Sequence, residues 1–349
     1  MESYHKVCPC AILLFRKEAK INKKCYTNFT EKRYDMRHIK ELRENERVIE
    51  HYLCREKQTR ETQKGKTYYS LKLQDSTGTI EGKVWELTGD IQAFEENDMV
   101  KVDGIITVYQ NELQLKISKL RRSCEGEFDP KDYIACSKKD IDVLYSQVVA
   151  LIKSIASPHM KTLLENILIN NEEYAKAFKT HSAAKQMHHS YMGGLLEHTL
   201  SVALICDYMS SCYKYINRDI AITGALLHDI GKIFELSPMP QNEYTNEGQL
   251  LGHIVIGVEM LVNEIAKIPD FPNDLASLLK HTIISHHGEY EFGSPKLPYI
   301  AEAMLLHYAD NMDAKLKAFE EILENNSNTN SPWAGYQRLL SRYIRSSEY

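Results

Sequence analysis

The hydrophobic period changes once along this chain, and that change limits what it can fold into. In TYYSLKLQD (67–75), Tyr69, Leu71 and Leu73 fall on one side and Tyr68, Ser70, Lys72 and Gln74 on the other. This is the period-two pattern of a half-buried strand. TIEGKVWE (79–86) continues it, with Ile80, Gly82 and Val84 alternating with Glu81, Lys83 and Trp85. MVKVDGIITVY (99–109) and ELQLKISKL (112–120) supply two more strands, the latter turning Leu113, Leu115 and Ile117 inward. A short helix is expected in LTGDIQAFEEN (87–97). From about residue 137 the period becomes 3.6. Helices are predicted near 139–156, 158–169, 171–179, 195–213, 218–229, 250–267, 273–286, 299–318 and 333–345. Between the two patterns, CEGEFDPKDY (124–133) gathers turn residues and acids.

The expected architecture is therefore multidomain: a β domain over 36–125, a linker over 126–138 and an all-α domain over 139–349. With the period-two pattern that begins at Val48, there are five short strands and one helix, which suggest an OB-fold barrel, a frequent binder of single strands. Residues 1–35 stand apart. They hold a nine-residue apolar run, VCPCAILLF, then a basic polar stretch, with Glu2 at the front. That only weakly imitates a signal peptide. The segment reads as a poorly ordered leader, or as lying upstream of a natural start at Met36.

Charge and cysteines narrow the setting. The formal net charge is −5, so nucleic acid would be held by a local patch and not by a global positive field. Eight cysteines are scattered with no paired CxxC units, which fits free thiols in a reducing cytoplasm. No apolar run approaches the ~18 residues of a membrane span, and no membrane partner is expected. The outward face of the second and third strands would show Tyr68, Lys72, Lys83 and Trp85. Aromatic rings offer stacking surfaces to bases, and cations hold phosphates. The connection before it is also basic, with Arg55, Lys57, Arg60, Lys64 and Lys66 against Glu56 and Glu61.

The polar exceptions on the helical segments carry the chemistry. His198 lies in GGLLEHTLSVA, and His228 with Asp229 ends GALLHD. His253 lies in LLGHIVIG, His286 and His287 in IISHHGEY, and Asp310 in LLHYADNMDA. One histidine on an apolar face is usually a hydrogen-bonded core residue. So many exceptions, from five segments, would each need a separate buried partner. Imidazole and carboxylate together suit divalent transition metals. An aspartate has two oxygens and can bridge two cations, the usual centre of a two-metal site. Gly231 is expected to let the backbone turn away after Asp229, and Lys232 to return a positive charge.

The order H…HD…H…HH…D resembles the HD-domain metal-dependent phosphohydrolases over about 180–315. HHSYMGGLLEHTLSVA, with a β domain opening MRHIKELRENERV, looks like the YhaM-type 3′–5′ exoribonucleases over about 36–340. The resemblance implies that His198, His228, Asp229 and Asp310 bind a first metal. It implies that His253 with His286, His287 or both bind a second, with Asp229 bridging. Lys232 would contact a phosphate oxygen. His189 would reach the scissile phosphate or serve a structural role. EYEFGSP follows SHHG where cyclic-dinucleotide phosphodiesterases carry a GYP motif, which argues against that substrate. Gly194 stands four residues before His198, where a third-metal ligand would be a Glu. His181, His281 and His307 are expected to be packed or on the surface, with His307 also placed to support Asp310.

The implied activity is metal-dependent 3′–5′ hydrolysis of single-stranded RNA to nucleoside 5′-monophosphates, with single-stranded DNA left open. The histidine-rich shell favours two Mn2+ ions, then Co2+, over Mg2+ or Fe2+. The rivals are a phosphohydrolase of mono- or cyclic nucleotides and a single-strand binding factor with structural metals. A homo-oligomer is compatible with this sequence.

Overall fold

A computed structural model describes residues 36–62, 65–110, 112–124, 126–185, 189–327 and 331–347. The leader reading of residues 1–35 and the basic residue Lys64 fall outside them.

The strands β1 (Arg47–Glu61), β2 (Thr67–Asp75), β3 (Gly78–Val84), β4 (Met99–Tyr109) and β5 (Glu112–Arg122) close into a barrel in the order β1-β2-β3-β5-β4. β1 serves two neighbours. Its first half pairs with β4, from Arg47↔Ile105 to Leu53↔Met99. Its second half pairs with β2, from Leu53↔Gln74 to Glu61↔Thr67, with a register shift between Cys54 and Glu56. β3 and β5 run parallel, matching Gly82 with Leu115, and this contact closes the barrel. Tyr52, Leu71, Leu73, Ile80, Val84, Val100, Ile106 and Leu115 fill the interior. Alternation along β2 and β3 thus gives the expected OB-type barrel.

Two details depart from expectation. Residues 87–97 form no helix. Their backbone bonds go to β5 instead: Gln92 N–H donates to Leu120 O (2.8 Å), and Leu120 N–H donates to Asp90 O (3.0 Å). Phe94 is buried in the barrel interior. Leu113 is 37% exposed, not inward. It pairs with Val108 near the β4–β5 turn, where Val108 and Tyr109 are exposed too.

The segment 126–138 is tied down at its middle and its end. Gln74 Nε2 donates to Tyr133 O (3.0 Å), and Ser137 N–H donates to Met192 O (2.9 Å). The helices follow: α1 (Ile141–Ser154), α2 (Pro158–Glu165) running into a π-turn, α3 (Glu172–Thr180), α4 (Gly194–Cys212), α5 (Arg218–Leu227), α6 (Lys232–Glu235), α7 (Asn246–Ile265), α8 (Asn273–Ser285) and α9 (Ala301–Asn326). Asp140, Asn171 and Asn217 cap α1, α3 and α5 by accepting backbone N–H groups. α4 is apolar nearly all round and sits centrally, with Leu195, Leu196, Leu200, Val202 and Ala203 buried. No helix among the described residues is long and apolar enough to cross a membrane.

The predicted last helix at 333–345 is instead a hairpin, β6 (Trp333–Gln337) with β7 (Arg342–Arg345). α9 runs eight residues beyond its predicted end. Leu340 and Ile344 are four apart, which fits a helix face, but here they pack on α9 from the end of a turn and from a strand.

Candidate metal centre and nucleic-acid groove

Five histidines converge, and each gives its Nδ1 to a fixed acceptor. His228 donates to Ala225 O (2.8 Å), His286 to Ile283 O (2.7 Å) and His287 to Phe292 O (2.9 Å). His253 donates to Glu235 Oε1 (2.9 Å), and His198 to Asp313 Oδ2 (2.7 Å). A proton held at Nδ1 leaves the Nε2 lone pair free for a metal. The five Nε2 atoms belong to two adjoining groups. His198 and His228 gather with Asp229, and His253 gathers with His286 and His287.

Asp229 lies between them. Its Oδ2 is 3.3 Å from His228 Nε2, 3.5 Å from His198 Nε2 and 2.7 Å from Lys232 Nζ. Its Oδ1 is 3.6 Å from His253 Nε2 and 3.7 Å from His286 Nε2. Asp310 Oδ1 reaches to 3.2 Å from His198 Nε2.

Local sequence explains this placement. α5 ends at Leu227, so His228 and Asp229 sit in the turn before α6 and both can face inward. Gly231 does not turn the chain away, because it is helical (φ −61°). It is needed for close approach: a Cβ there would stand 2.1 Å from His253 O. α7 is broken at Gly252, and His253 opens its second part.

The donor set fits divalent cations. Asp229 Oδ1 and His253 Nε2 are buried without a hydrogen-bond partner among the described residues. Each such orphan costs about 1–3 kcal/mol unless something satisfies it. Burial would raise the Asp229 pKa, but Lys232, His228 and His253 hold it well below the usual carboxylate range. Burial lowers the His198 pKa, yet hydrogen bonds with Asp310 and Asp313 outweigh it and push the group up to about 10. That environment demands positive charge at Nε2, which a cation would provide in place of a proton. His286, buried beside His228 and His287, is held well below its ordinary value and so stays neutral.

On the barrel, Tyr68 and Trp85 stack with ring centroids 4.5 Å apart. Lys83 is not displayed on that face as expected: it is 7% exposed, 5.8 Å from the Tyr68 ring, and drawn in by bonds to Ser70 Oγ (2.8 Å) and Glu81. This groove, about 510 Å³, adjoins a second of about 640 Å³ that Lys72, Gln58 and Arg60 help to line. Lys72 pairs with Glu56 at 3.4 Å. Arg55 and Lys57 lie on β1, not in a connection, and their side chains are engaged elsewhere. Arg55 donates to Pro240 O (3.0 Å), and Lys57 donates to Phe94 O (2.5 Å). The structure thus brings Tyr68, Lys83 and Trp85 together, puts Lys72 beside them, and separates Arg55 and Lys57 from that groove.

Comparison with known proteins agrees with both halves. The HD domain profile matches residues 195–315, and an OB-fold nucleic acid binding domain profile matches residues 55–122. The 3′–5′ exoribonuclease YhaM of Geobacillus sp. (strain WCH70) is 34% identical over 265 residues, covering 74% of this chain and 80% of that protein. The chain belongs to the YhaM family. It is accordingly a hydrolase with an N-terminal OB-fold barrel and a helical HD domain. The second OB-fold domain of replication protein A from Methanococcus maripaludis is 21% identical, covering 27% of this chain and 98% of that one (TM-score 0.22). The p204 HINb domain is 16% identical, covering 25% and 47% (TM-score 0.22).

Around this YhaM-family centre stand residues that the sequence did not announce. Asp313 bonds His198, and also lies 3.2 Å from His189 Nε2 and accepts from Ser201 Oγ. Glu235 holds His253. The one signal for Asp313 was its place three residues beyond Asp310, on the same helix face. His189 is buried at the edge of the cluster, its Nδ1 3.0 Å from Tyr191 Oη, whose hydroxyl donates to Glu197 Oε2 at 2.9 Å. His307 does not support Asp310; its Nδ1 donates to His286 O at 3.0 Å. His181 donates to Ala177 O at 3.0 Å, and His281 accepts from Tyr299 N–H at 2.9 Å.

Proposed function

We propose that this protein is a 3′–5′ exoribonuclease that hydrolyses single-stranded RNA with two divalent metal ions. One observation carries the reading: the two oxygens of Asp229 face separate histidine groups. That geometry supports a bridging carboxylate. His198, His228, Asp229 and Asp310 would hold one ion. His253 and His286, with His287 beside them, would hold the other. When bound, the ions would supply Lewis acidity, activating water and offsetting charge on the phosphoryl oxygens.

The chain's own residues do the rest. Asp313, Glu235 and three backbone carbonyls keep every Nδ1 protonated, so no ligand rotates or changes tautomer. Lys232 supplies a fixed cation at the rim of Asp229, where it would meet a phosphoryl oxygen as charge develops there. His189, held between Asp313 and Tyr191, would border the scissile phosphate. Water adds to phosphorus, and the 3′ oxygen of the preceding nucleotide leaves with a proton. The products would be a nucleoside 5′-monophosphate and a strand one residue shorter. Tyr68 and Trp85 would stack bases, with Lys83 and Lys72 near the phosphates. Nitrogen-rich ligation favours Mn2+ over Mg2+, which prefers oxygen donors.

The test is a gel assay with 5′-labelled single-stranded RNA in EDTA, Mg2+ or Mn2+, beside Asp229→Ala. A Mn2+-dependent ladder shortening from the 3′ end, absent in the variant, is expected. Intact RNA in every lane would overturn the nuclease reading, and a fully active variant would overturn the site.

A further inference from the structure

The C-terminal hairpin takes no part in the chemistry above, yet its two faces differ sharply. Its inner face, Ala334, Leu340 and Ile344, packs on Ala318, Phe319, Ile322 and Leu323 of α9. Its outer face carries Trp333, Tyr336, Tyr343 and Arg345, whereas Arg342 lies in the phase of the buried Ile344, its Nε donating to Leu340 O (2.9 Å). Trp333 pairs with Arg345, and Tyr336 pairs with Tyr343, with a register shift between the two pairs. Gly335, at φ 76°, occupies that shift. A bulge adds one residue to one strand and resets its alternation. Trp333 and Tyr336, three apart in sequence, therefore both point outward. Trp333, Tyr336 and Tyr343 are 53%, 53% and 68% exposed.

The charge is unbalanced in the same place. Residues 331–347 contain Arg338, Arg342 and Arg345 and no Asp or Glu. Among the described residues, none of these three guanidinium groups forms an ion pair with a carboxylate. The barrel differs, since Lys66, Lys72 and Lys83 pair with Glu86, Glu56 and Glu81. Arginines without a carboxylate partner among the described residues, beside exposed rings, are complementary to a polyanion with stackable bases. α9 also carries Asp310 and Asp313. The hairpin's packing residues begin five residues after Asp313, about 8 Å along the helix axis.

We propose that the outer face of this hairpin is a second binding surface for single-stranded RNA, holding a length of the substrate outside the catalytic site. The proposal rests on the exoribonuclease reading for the identity of the strand.

The test uses the full chain and two variants, Tyr336→Ala/Tyr343→Ala and Arg338→Ala/Arg345→Ala, the latter removing the exposed turn arginine and the outer-face arginine, and both leave Leu340 and Ile344 in place. Affinity for a single-stranded RNA of about 20 nucleotides is read by fluorescence anisotropy in EDTA, and hydrolysis of a tetranucleotide is followed in Mn2+. Each variant should weaken binding of the long strand roughly tenfold and leave tetranucleotide turnover unchanged. The arginine variant should also lower the salt slope by about 1.4, at ~0.7 for each phosphate that is no longer neutralised. Unchanged affinity in folded variants would overturn the proposal. So would light scattering that showed the face joining two copies of the chain, with RNA affinity following only the change in mass. Photo-crosslinking of wild-type protein to RNA needs no variant to fold: adducts within 333–345 are expected, and none there would count against the surface. A wild-type chain that cleaves no RNA would defeat the nuclease reading, while anisotropy and crosslinking would still decide the hairpin.

Discussion

Asp313 Oδ2 lies 2.7 Å from His198 Nδ1, on the side of the ring away from Asp229. Asp313 is itself fixed by Ser201 and His189. Burial would raise its pKa, but these hydrogen bonds keep it ionised, so it can only accept. His198 must then present a bare Nε2 to the centre or carry a positive charge. Asp313→Asn keeps the shape and removes that constraint. We expect metal affinity to fall by about 10–100-fold, the usual drop when the partner of a ligating histidine is removed. Calorimetric titration with Mn2+ checks this, and an unchanged affinity would reduce Asp313 to packing.

Lys232 should behave differently. Its Nζ is 2.7 Å from Asp229 Oδ2, so it adds charge at the centre without being a ligand. Lys232→Ala should lower kcat by about 10²–10³, the scale seen when one donor to a developing oxyanion is removed. Long-strand affinity should change little, because the barrel and not Lys232 would hold the strand. Single-turnover kinetics with metal content measured in parallel separate this outcome from metal loss. A variant whose only defect is in KM would show that Lys232 merely binds substrate.

These two residues show where the sequence was readable. His198, His228, Asp229, His253, His286 and Asp310 stood out because each interrupts an apolar helical surface. Asp313 did not, since an acid on a helix that also carries Glu320, Glu321 and Glu324 looks like a solvated face. Glu235 was hidden in the same way beside Lys232. The barrel was legible from β2 and β3, where Leu71, Leu73, Ile80 and Val84 keep their inward phase, although Ser70 and Lys83 of the outward phase are buried as well. It was less so at Leu113, whose strand extends past the barrel interior, and at Arg55 and Lys57, whose charge suggested a ligand while their bonds go to carbonyls. The hairpin was missed because Leu340 and Ile344 satisfy a helical spacing. Only pairing with Trp333 and Tyr336 distinguishes the two, and pairing is not local.

Acid should loosen one end of the barrel. Two bonds from Arg121 (2.7 and 2.8 Å), and then the Cys124 N–H, hold the Glu127 carboxyl down to about 2, below its ordinary 4.5. The folded value is the lower one. Its stabilisation is therefore complete above the unfolded value and lost as pH falls from 4.5 toward 2. The side chain is a third exposed, so screening limits the gain to roughly 1 kcal/mol or less. Glu127→Gln should melt a few degrees below wild type at pH 7, and the gap should narrow between pH 4.5 and 3. A gap that is constant across that range would mean that the charge contributes nothing.

Trp85 and Tyr68 offer the sharpest separation of binding from chemistry. Their rings already stack on one another at 4.5 Å, so a base would extend an existing column and need not order two loose side chains. Glu81, bonded to Lys83 and to Gln114 Nε2 at 2.6 Å, lies in the floor of the same groove and would repel a phosphate placed directly above it. Stacking, not phosphate contact, should then dominate here. Each base–ring contact is worth ~1–3 kcal/mol, so Trp85→Ala should raise KM for a long strand by about tenfold or more. Its kcat should stay near wild type, and hydrolysis of a dinucleotide too short to reach the barrel should not change. Replacing Lys83 with Met should weaken long-strand binding less than Trp85→Ala does. The reverse order, measured on the same RNA at two salt concentrations, would show that phosphates and not bases are gripped by this face.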